Sequence, residues 1–169
     1  MAENASKQDV QPYEEKEIAG ELMETTPRPG QIVSEKNNEA LGLTELELAN
    51  GVRVILKPTD FKNVQVILTA SRFGGYYNYD ASERHNAEMA STIVSQMGAG
   101  NFSPIEIRKV LAGKNAGATT RISSTSEGTN GQSSATDVET MLQLVYLYFT
   151  QPRKDQELFR SFVSKQQAM

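Results

Sequence analysis

Apolar and polar positions change rhythm several times along the chain, and each change marks an expected element. From Leu43 the period is two. Leu46 and Leu48 alternate with Glu45 and Glu47, and past Asn50-Gly51 the residues Val52, Val54 and Leu56 alternate with Arg53 and Ile55. Asn-Gly accepts the positive φ angles of a type I′ turn, so the spacing predicts a hairpin, with Pro58 ending its second strand. Positions 64–71 (V-Q-V-I-L-T-A-S) predict a third, mostly buried strand.

The period then lengthens. Ala90, Ile93, Val94 and Met97 recur at i, i+3, i+4 and i+7, predicting a helix over 82–97 that Gly98 stops in a left-handed cap. In N-F-S-P-I-E-I, Ser103 suits the cap, Pro104 the first helical position, and Glu106 completes a capping box. Phe102 and Ile107 are spaced as a hydrophobic staple. Ile107, Val110 and Leu111 are expected inward, with Gly113 ending this second helix.

A third helix is expected over 134–149. Ser134-x-x-Asp137 is its cap, and Val138, Met141, Leu142, Val145 and Phe149 face inward before Pro152. A fourth starts near Asp155, with Leu158, Phe159, Phe162 and Val163 apolar. Its pattern still runs at Met169, as expected of a piece of something longer.

Two stretches lack such periods. Residues 114–133 hold one large aliphatic, Ile122, among many Thr, Ser and Gly. Two polar strands fit better than a loop, because a structureless segment of that length is uncommon in a compact domain. Such strands need one face open to water or to a cavity. Residues 1–43, with Glu14-Glu15-Lys16-Glu17 and Pro27-Arg28-Pro29-Gly30, show no sustained period. They read as a tail or interdomain linker with one helical turn near 17–23. The whole predicts an α+β domain over 44–169, its antiparallel sheet covered by helices on one face.

Composition narrows the chemistry. The 169 residues carry a net charge of -4 and no basic cluster, which argues against nucleic acid as a partner. No apolar run approaches the ~20 residues that span a bilayer, so no membrane segment is expected. Cys 0 removes disulfides, thiol nucleophiles and thiolate metal sites. A single histidine, His85, precludes a His-rich metal site within this chain, and any Ser-His-Asp arrangement would have to use it. F-G-G-Y-Y-N-Y at 73–79 allows an aromatic binding loop. The plainer reading lays the tyrosines over the sheet edge with their hydroxyls in water.

The order E-L-A-N-G-V-R-V-I-L-K, a strand, a helix ending in Gly, N-F-S-P-I-E-I-R-K-V-L-A-G-K, then T-M-L-Q-L-V-Y-L-Y-F-T-Q-P resembles a domain of the pitrilysin/insulinase family of zinc peptidases over about residues 44–169. The stretch 21–36 looks like the linker between the two halves of such enzymes. The resemblance implies a clamshell parent whose N-terminal half bears H-x-x-E-H on a helix, with a later glutamate as the third protein ligand.

Three registers test that motif on 85–98. Met97 as guide puts Thr92, Ser95 and Gln96 in the motif positions. Gly98 as guide puts Met89, Thr92 and Ile93 there, and sliding to His85 gives His85, Glu88 and Met89. None is complete, and a thioether ligand is too soft for a hydrolytic zinc. His85 then reads as an ordinary residue near a helix start, and Glu88 as part of a solvated face.

What the resemblance implies is therefore the non-catalytic domain that opens the C-terminal half. No metal or catalytic residue is expected in this chain. Zinc is expected in another domain of the parent, together with peptide substrate, the other domains as partners and a periplasmic or cell-envelope location. Candidate substrate contacts are Arg121, Ser123 and Thr125 on the polar strands, Arg121 being the charge able to engage a peptide carboxylate or carbonyl. The competing reading is a stand-alone binding or assembly module. A reading frame with H-x-x-E-H upstream of Met1 and continuation past Met169 separates the two.

Overall fold

In the computed structural model, residues 21–62 and 64–168 are described. Six strands and four helices follow one another: β1 (Ile32–Asn38), β2 (Leu43–Leu48), β3 (Arg53–Leu56), β4 (Gln65–Phe73), α1 (Arg84–Met97), α2 (Pro104–Val110), β5 (Ala116–Ile122), β6 (Ser126–Ser134), α3 (Val138–Thr150) and α4 (Gln156–Gln167). A short 3-10 turn over Tyr76–Asn78 precedes α1. The expected α+β architecture with antiparallel pairing is present, and the two polar strands expected within 114–133 are β5 and β6.

The strands divide into two sheets, of order β1-β2-β3 and β4-β6-β5, where a single sheet was expected. β4, which follows the connection 57–64, pairs with β6 and not with the hairpin. β1 lies in a stretch where the sequence shows no period. Its side chains are mostly exposed on both faces, so no alternation was imposed on them. Of the helical turn expected near 17–23, residues 17–20 lie outside the described residues, and 21–23 are not helical.

The β2–β3 hairpin forms with a different turn. Gly51 N–H donates to Leu48 C=O (2.8 Å) and Leu48 N–H to Val52 C=O (2.9 Å), which makes a three-residue loop. Gly51 alone takes positive φ, at 82°, while Asn50 stays on the ordinary side. Type I′ needs both. Asn50 instead accepts Val52 N–H on its side-chain oxygen (3.2 Å), which holds the loop in the other form.

Helix ends follow side-chain chemistry closely at α2. Ser103 Oγ accepts Glu106 N–H (3.3 Å), and the Glu106 carboxylate accepts Ser103 N–H (2.7 Å), the full capping box behind Pro104. Asp155 caps α4 by accepting Glu157 and Leu158 N–H (3.1 and 3.0 Å). Gly98 stops α1 at φ 87°, ψ −164°, more extended than a left-handed cap. Ahead of α3, Ser134 Oγ accepts Asp137 N–H (3.2 Å), the bond that the Ser134-x-x-Asp137 spacing predicts, but the helix itself begins only at Val138. Ser134 Oγ donates to Asp137 Oδ2 (2.6 Å), and that same oxygen accepts Asn115 N–H (2.9 Å). Asp137 thus ties the entry of β5 to the start of α3 and makes no side-chain cap bond to the helix.

The core gathers Leu22, Ala99, Ile107, Val110, Leu144 and Leu147, with Phe102, Leu111 and Tyr148 half-buried against it. The buried face of α3 is rotated from the expected one. α3 buries Thr140, Met141, Leu144 and Leu147, leaving Leu142 and Phe149 exposed. α1 keeps the expected face, with Met97 buried and Ile93 and Val94 half-buried, and it also buries Ala87, while Ala90 is exposed. Both helices lie over β5, and α3 also over β6. β4 projects beyond this cover, so on the helix side Val66 and Leu68 are only half-buried and Ala70 is exposed, while Ile67, on the opposite face, is 72% exposed in a strand expected to be mostly buried.

Candidate functional site

Side chains alternate across a strand, so the register sorts the second sheet into two faces. On one, Thr129 and Ser133 are buried, and Gly131 leaves room for the Met141 sulfur beneath the helices. On the other stand three rows. Ile67, Gln132 and Gly117 are aligned; so are Thr69, Asn130 and Thr119; so are Ser71, Gly128 and Arg121. Thr69, Asn130, Gln132 and Thr119 are exposed there. The face opposite the helices is an open, largely polar surface ending at the β5–β6 turn.

The sequence explains the division. Within β6 (S-E-G-T-N-G-Q-S-S) small residues at 129, 131 and 133 fit under helices, and the amide side chains at 130 and 132 take the wet positions. Asn130 and Gln132 were not among the expected site residues. The signal that could have found them is this alternation of small and amide-bearing positions. On the buried side Thr129 Oγ1 donates to Thr119 C=O (2.8 Å), whereas Ser133 Oγ, also buried there, has no hydrogen-bond partner among the described residues.

Of the three expected contacts, Arg121 lies on the open face, half-buried, with Nη1 donating to Ser126 Oγ (3.4 Å). Ser123 belongs to the turn. Its Oγ accepts Ser126 N–H (3.1 Å) and lies 2.9 Å from Ser126 Oγ, while its N–H donates to Ser126 C=O (2.8 Å). Thr125 is exposed at the tip. The three therefore occupy one end of the sheet, but Ser123 is engaged in shaping that end.

The aromatic segment is attached to the same tip. Gly74, Tyr76 and Tyr77 N–H donate to the carbonyls of Thr125 (3.0 Å), Ser123 (2.9 Å) and Ser124 (3.1 Å). Gly75 has φ 88°, and a Cβ there would stand 2.4 Å from Ser123 C=O, so only glycine permits this approach. Tyr76 and Tyr77 meet edge to face at 5.2 Å, and Arg84 lies over the Tyr77 ring at 5.4 Å. The tyrosines gather at the start of α1, where they were expected to lie along a sheet edge.

Of the helix positions tested for a zinc motif, Met89 and Ile93 are half-buried and the others face water. His85 is 83% exposed and pairs loosely with Glu88, Nδ1 to Oε2 at 3.7 Å. Thr92, Ser95 and Gln96 are exposed, and Ser95 Oγ donates to Thr92 C=O (2.7 Å). Among the described residues no three His, Asp or Glu side chains gather as a metal site. No helix among them is long and apolar enough to cross a membrane.

Comparison with known proteins supports the zinc-peptidase class that the order of strands and helices suggested. No family model matches the chain. It is 31% identical over 141 residues to a "Zinc protease PQQL-like" of Arabidopsis thaliana, covering 83% of this chain and 12% of that protein. Its fold matches the periplasmic protease PqqL from Escherichia coli with TM-score 0.77 and 19% identity, over 97% of this chain and 18% of that one. It also matches the ferredoxin protease FusC, solved as a mutant in complex with Arabidopsis ferredoxin, with TM-score 0.74 and 21% identity, over 90% of this chain and 17% of that one.

Sequence and fold together make this chain a fragment-length member of the insulinase/pitrilysin family, as its strand and helix order suggested. It spans 12% of the length of its Arabidopsis relative.

Proposed function

We propose that the chain is a catalytically inactive domain of a zinc metalloendopeptidase. It helps to enclose and bind peptide substrate while the zinc is held by another domain of the full-length protein. The observation that carries this is the open face of the second sheet. Helices cover β5 and β6 on one side, and a wet surface of Thr, Asn and Gln side chains is left on the other. Such a surface offers hydrogen-bond partners without demanding a particular side chain, which suits capture of varied extended peptides. Support also comes from the likeness to a zinc protease. In such an enzyme, closing walls around the substrate keeps the reacting bond from bulk water.

Arg121 and Thr125 are the proposed contacts at the turn end, and Ser123 sets the turn on which they stand. Arg121 has donors beyond the one it gives Ser126 and can meet a peptide carboxylate or carbonyl. The periplasmic or cell-envelope location proposed for the parent rests on the likeness to PqqL.

The test is Arg121→Ala in the full-length protein. Loss of a charge-assisted hydrogen bond of about 1.5–3 kcal/mol lowers kcat/KM for peptides by roughly tenfold or more, chiefly through KM. Unchanged turnover would remove Arg121 from the role.

A further inference from the structure

A tight β-turn ordinarily closes with the N–H of its fourth residue on the carbonyl of its first. The β5–β6 turn, Ser123 to Ser126, closes otherwise. Ser126 N–H goes to Ser123 Oγ (3.1 Å), which leaves the Ser123 carbonyl to accept Tyr76 N–H (2.9 Å). The next two carbonyls are taken from the same side. Ser124 C=O accepts Tyr77 N–H (3.1 Å), and Thr125 C=O accepts Gly74 N–H (3.0 Å). The segment 74–77 is thus a strap across the back of the turn, bonded to three successive carbonyls.

From the strap a continuous route of hydrogen bonds leads to Arg121. Ser123, held by Tyr76 N–H, lies Oγ to Oγ 2.9 Å from Ser126, and Ser126 Oγ accepts Arg121 Nη1 (3.4 Å). Gly75 decides whether the strap can lie where it does. It is buried between two of the donors, and a Cβ there would stand 2.4 Å from the Ser123 carbonyl oxygen and 2.7 Å from the Ser124 carbonyl carbon. Both are backbone atoms, so no side-chain rotation relieves the contact. Ordinary contact begins near 3.4 Å, so strap and turn would have to part by about 1 Å, enough to spoil a binding geometry.

We infer that Gly75 is a positioning residue for peptide capture. By letting the strap close on the β5–β6 turn, it fixes the turn on which Arg121 and Thr125 stand. The inference rests on the reading of those two side chains as peptide contacts. It adds a residue that touches no substrate and acts through Ser123 and Ser126. The route runs entirely between residues 74–77 and 121–126 and uses no exposed surface.

The test uses the full-length protein, read by peptide hydrolysis and by hydrogen exchange. Gly75→Ala should raise KM for peptides by about fivefold and leave kcat within about twofold, because binding and not chemistry loses its geometry. Amides of the segment 74–77 should exchange at least about tenfold faster as the strap lifts. Gly113→Ala is the control. Gly113 has φ 81°, so an added Cβ strains the backbone there too, but no atom lies within 4 Å of it. That variant should lose stability and keep the parent KM. With Gly75→Ala and Arg121→Ala combined, KM should rise by no more than about twofold over Arg121→Ala alone, since the arginine can be lost only once. Should Gly75→Ala not fold, Ser123→Ala, which cuts the same route without adding an atom, takes its place in the kinetic comparisons. A KM no higher than that of Gly113→Ala, unchanged exchange at 74–77, or effects at 75 and 121 that multiply in full would each overturn the positioning role and leave the Arg121 contact standing. Arg121→Ala with unchanged turnover removes the contact itself, and the positioning role with it.

Discussion

Leu142 and Leu144 stand two positions apart on α3 and meet different surroundings. Leu144 is 1% exposed in the core, and Leu142 is 48% exposed. Leu144→Ala should cost about 2–5 kcal/mol, from lost transfer energy and the cavity left behind. Leu142→Ala should change stability by no more than about 0.5 kcal/mol, as surface substitutions do. Urea denaturation of both variants measures the contrast, and equal losses would mean that α3 is turned the other way. The sequence could not separate these residues, because α3 is apolar around most of its circumference. With Val, Met, Leu, Tyr and Phe on nearly every side, several inward faces satisfy the same period. The sheet, not the helix, selects among them.

At the scale of elements, legibility followed local chemistry. Ser103-Pro104-x-Glu106 fixes the start of α2 within four residues, and the structure shows every bond it implies. The loop at Asn50-Gly51 depended on whether Asn50 would spend its side chain on Val52 N–H, which composition does not reveal. β1 was invisible because an exposed edge strand needs no alternation. The open face of the second sheet was foreseeable from the Thr and Ser content of 114–133, but its rows appear only once β4 supplies the register.

Two helix starts also carry a pH dependence. The Asp137 carboxyl is held below its ordinary range by the Ser134 hydroxyl and then by Asn115 N–H, with burial opposing and Lys114 assisting. Asp155 is lowered first by Leu158 N–H, with Arg153 and Glu157 N–H also contributing against burial. A carboxyl lowered on folding adds stability above its unfolded pKa, about 3.9, and loses it as pH falls through the folded value. The urea midpoint should therefore hold near neutral pH and fall below about pH 4. Asp137→Asn with Asp155→Asn should make that acid-side fall shallower. An unchanged slope would show that these two carboxyls do not govern it.

At the scale of the whole molecule, the α+β class followed from element order, and the two-sheet division did not. Nothing in residues 57–64 announces that β4 leaves the hairpin's sheet to pair with β6. Among the described residues, the one imidazole and one carboxylate paired on the wet face of α1 fall short of the three protein ligands that a catalytic zinc needs. Metal analysis of the purified chain beside its full-length parent should find no stoichiometric zinc in the first and about one ion in the second. Zinc retained by the chain at one per molecule, or peptide cleavage by it that a chelator abolishes, would reverse the assignment.

The pairing of β4 with β6 also sets a timetable for synthesis. Leu68 meets Gly131, made about 63 positions later. At translation rates of 5–20 residues per second, β4 waits roughly 3–13 s for its neighbour. During that interval a neutral, aliphatic-rich ribbon hangs from the ribosome with both flanks bare, which makes it a natural client for holding chaperones until β6 emerges.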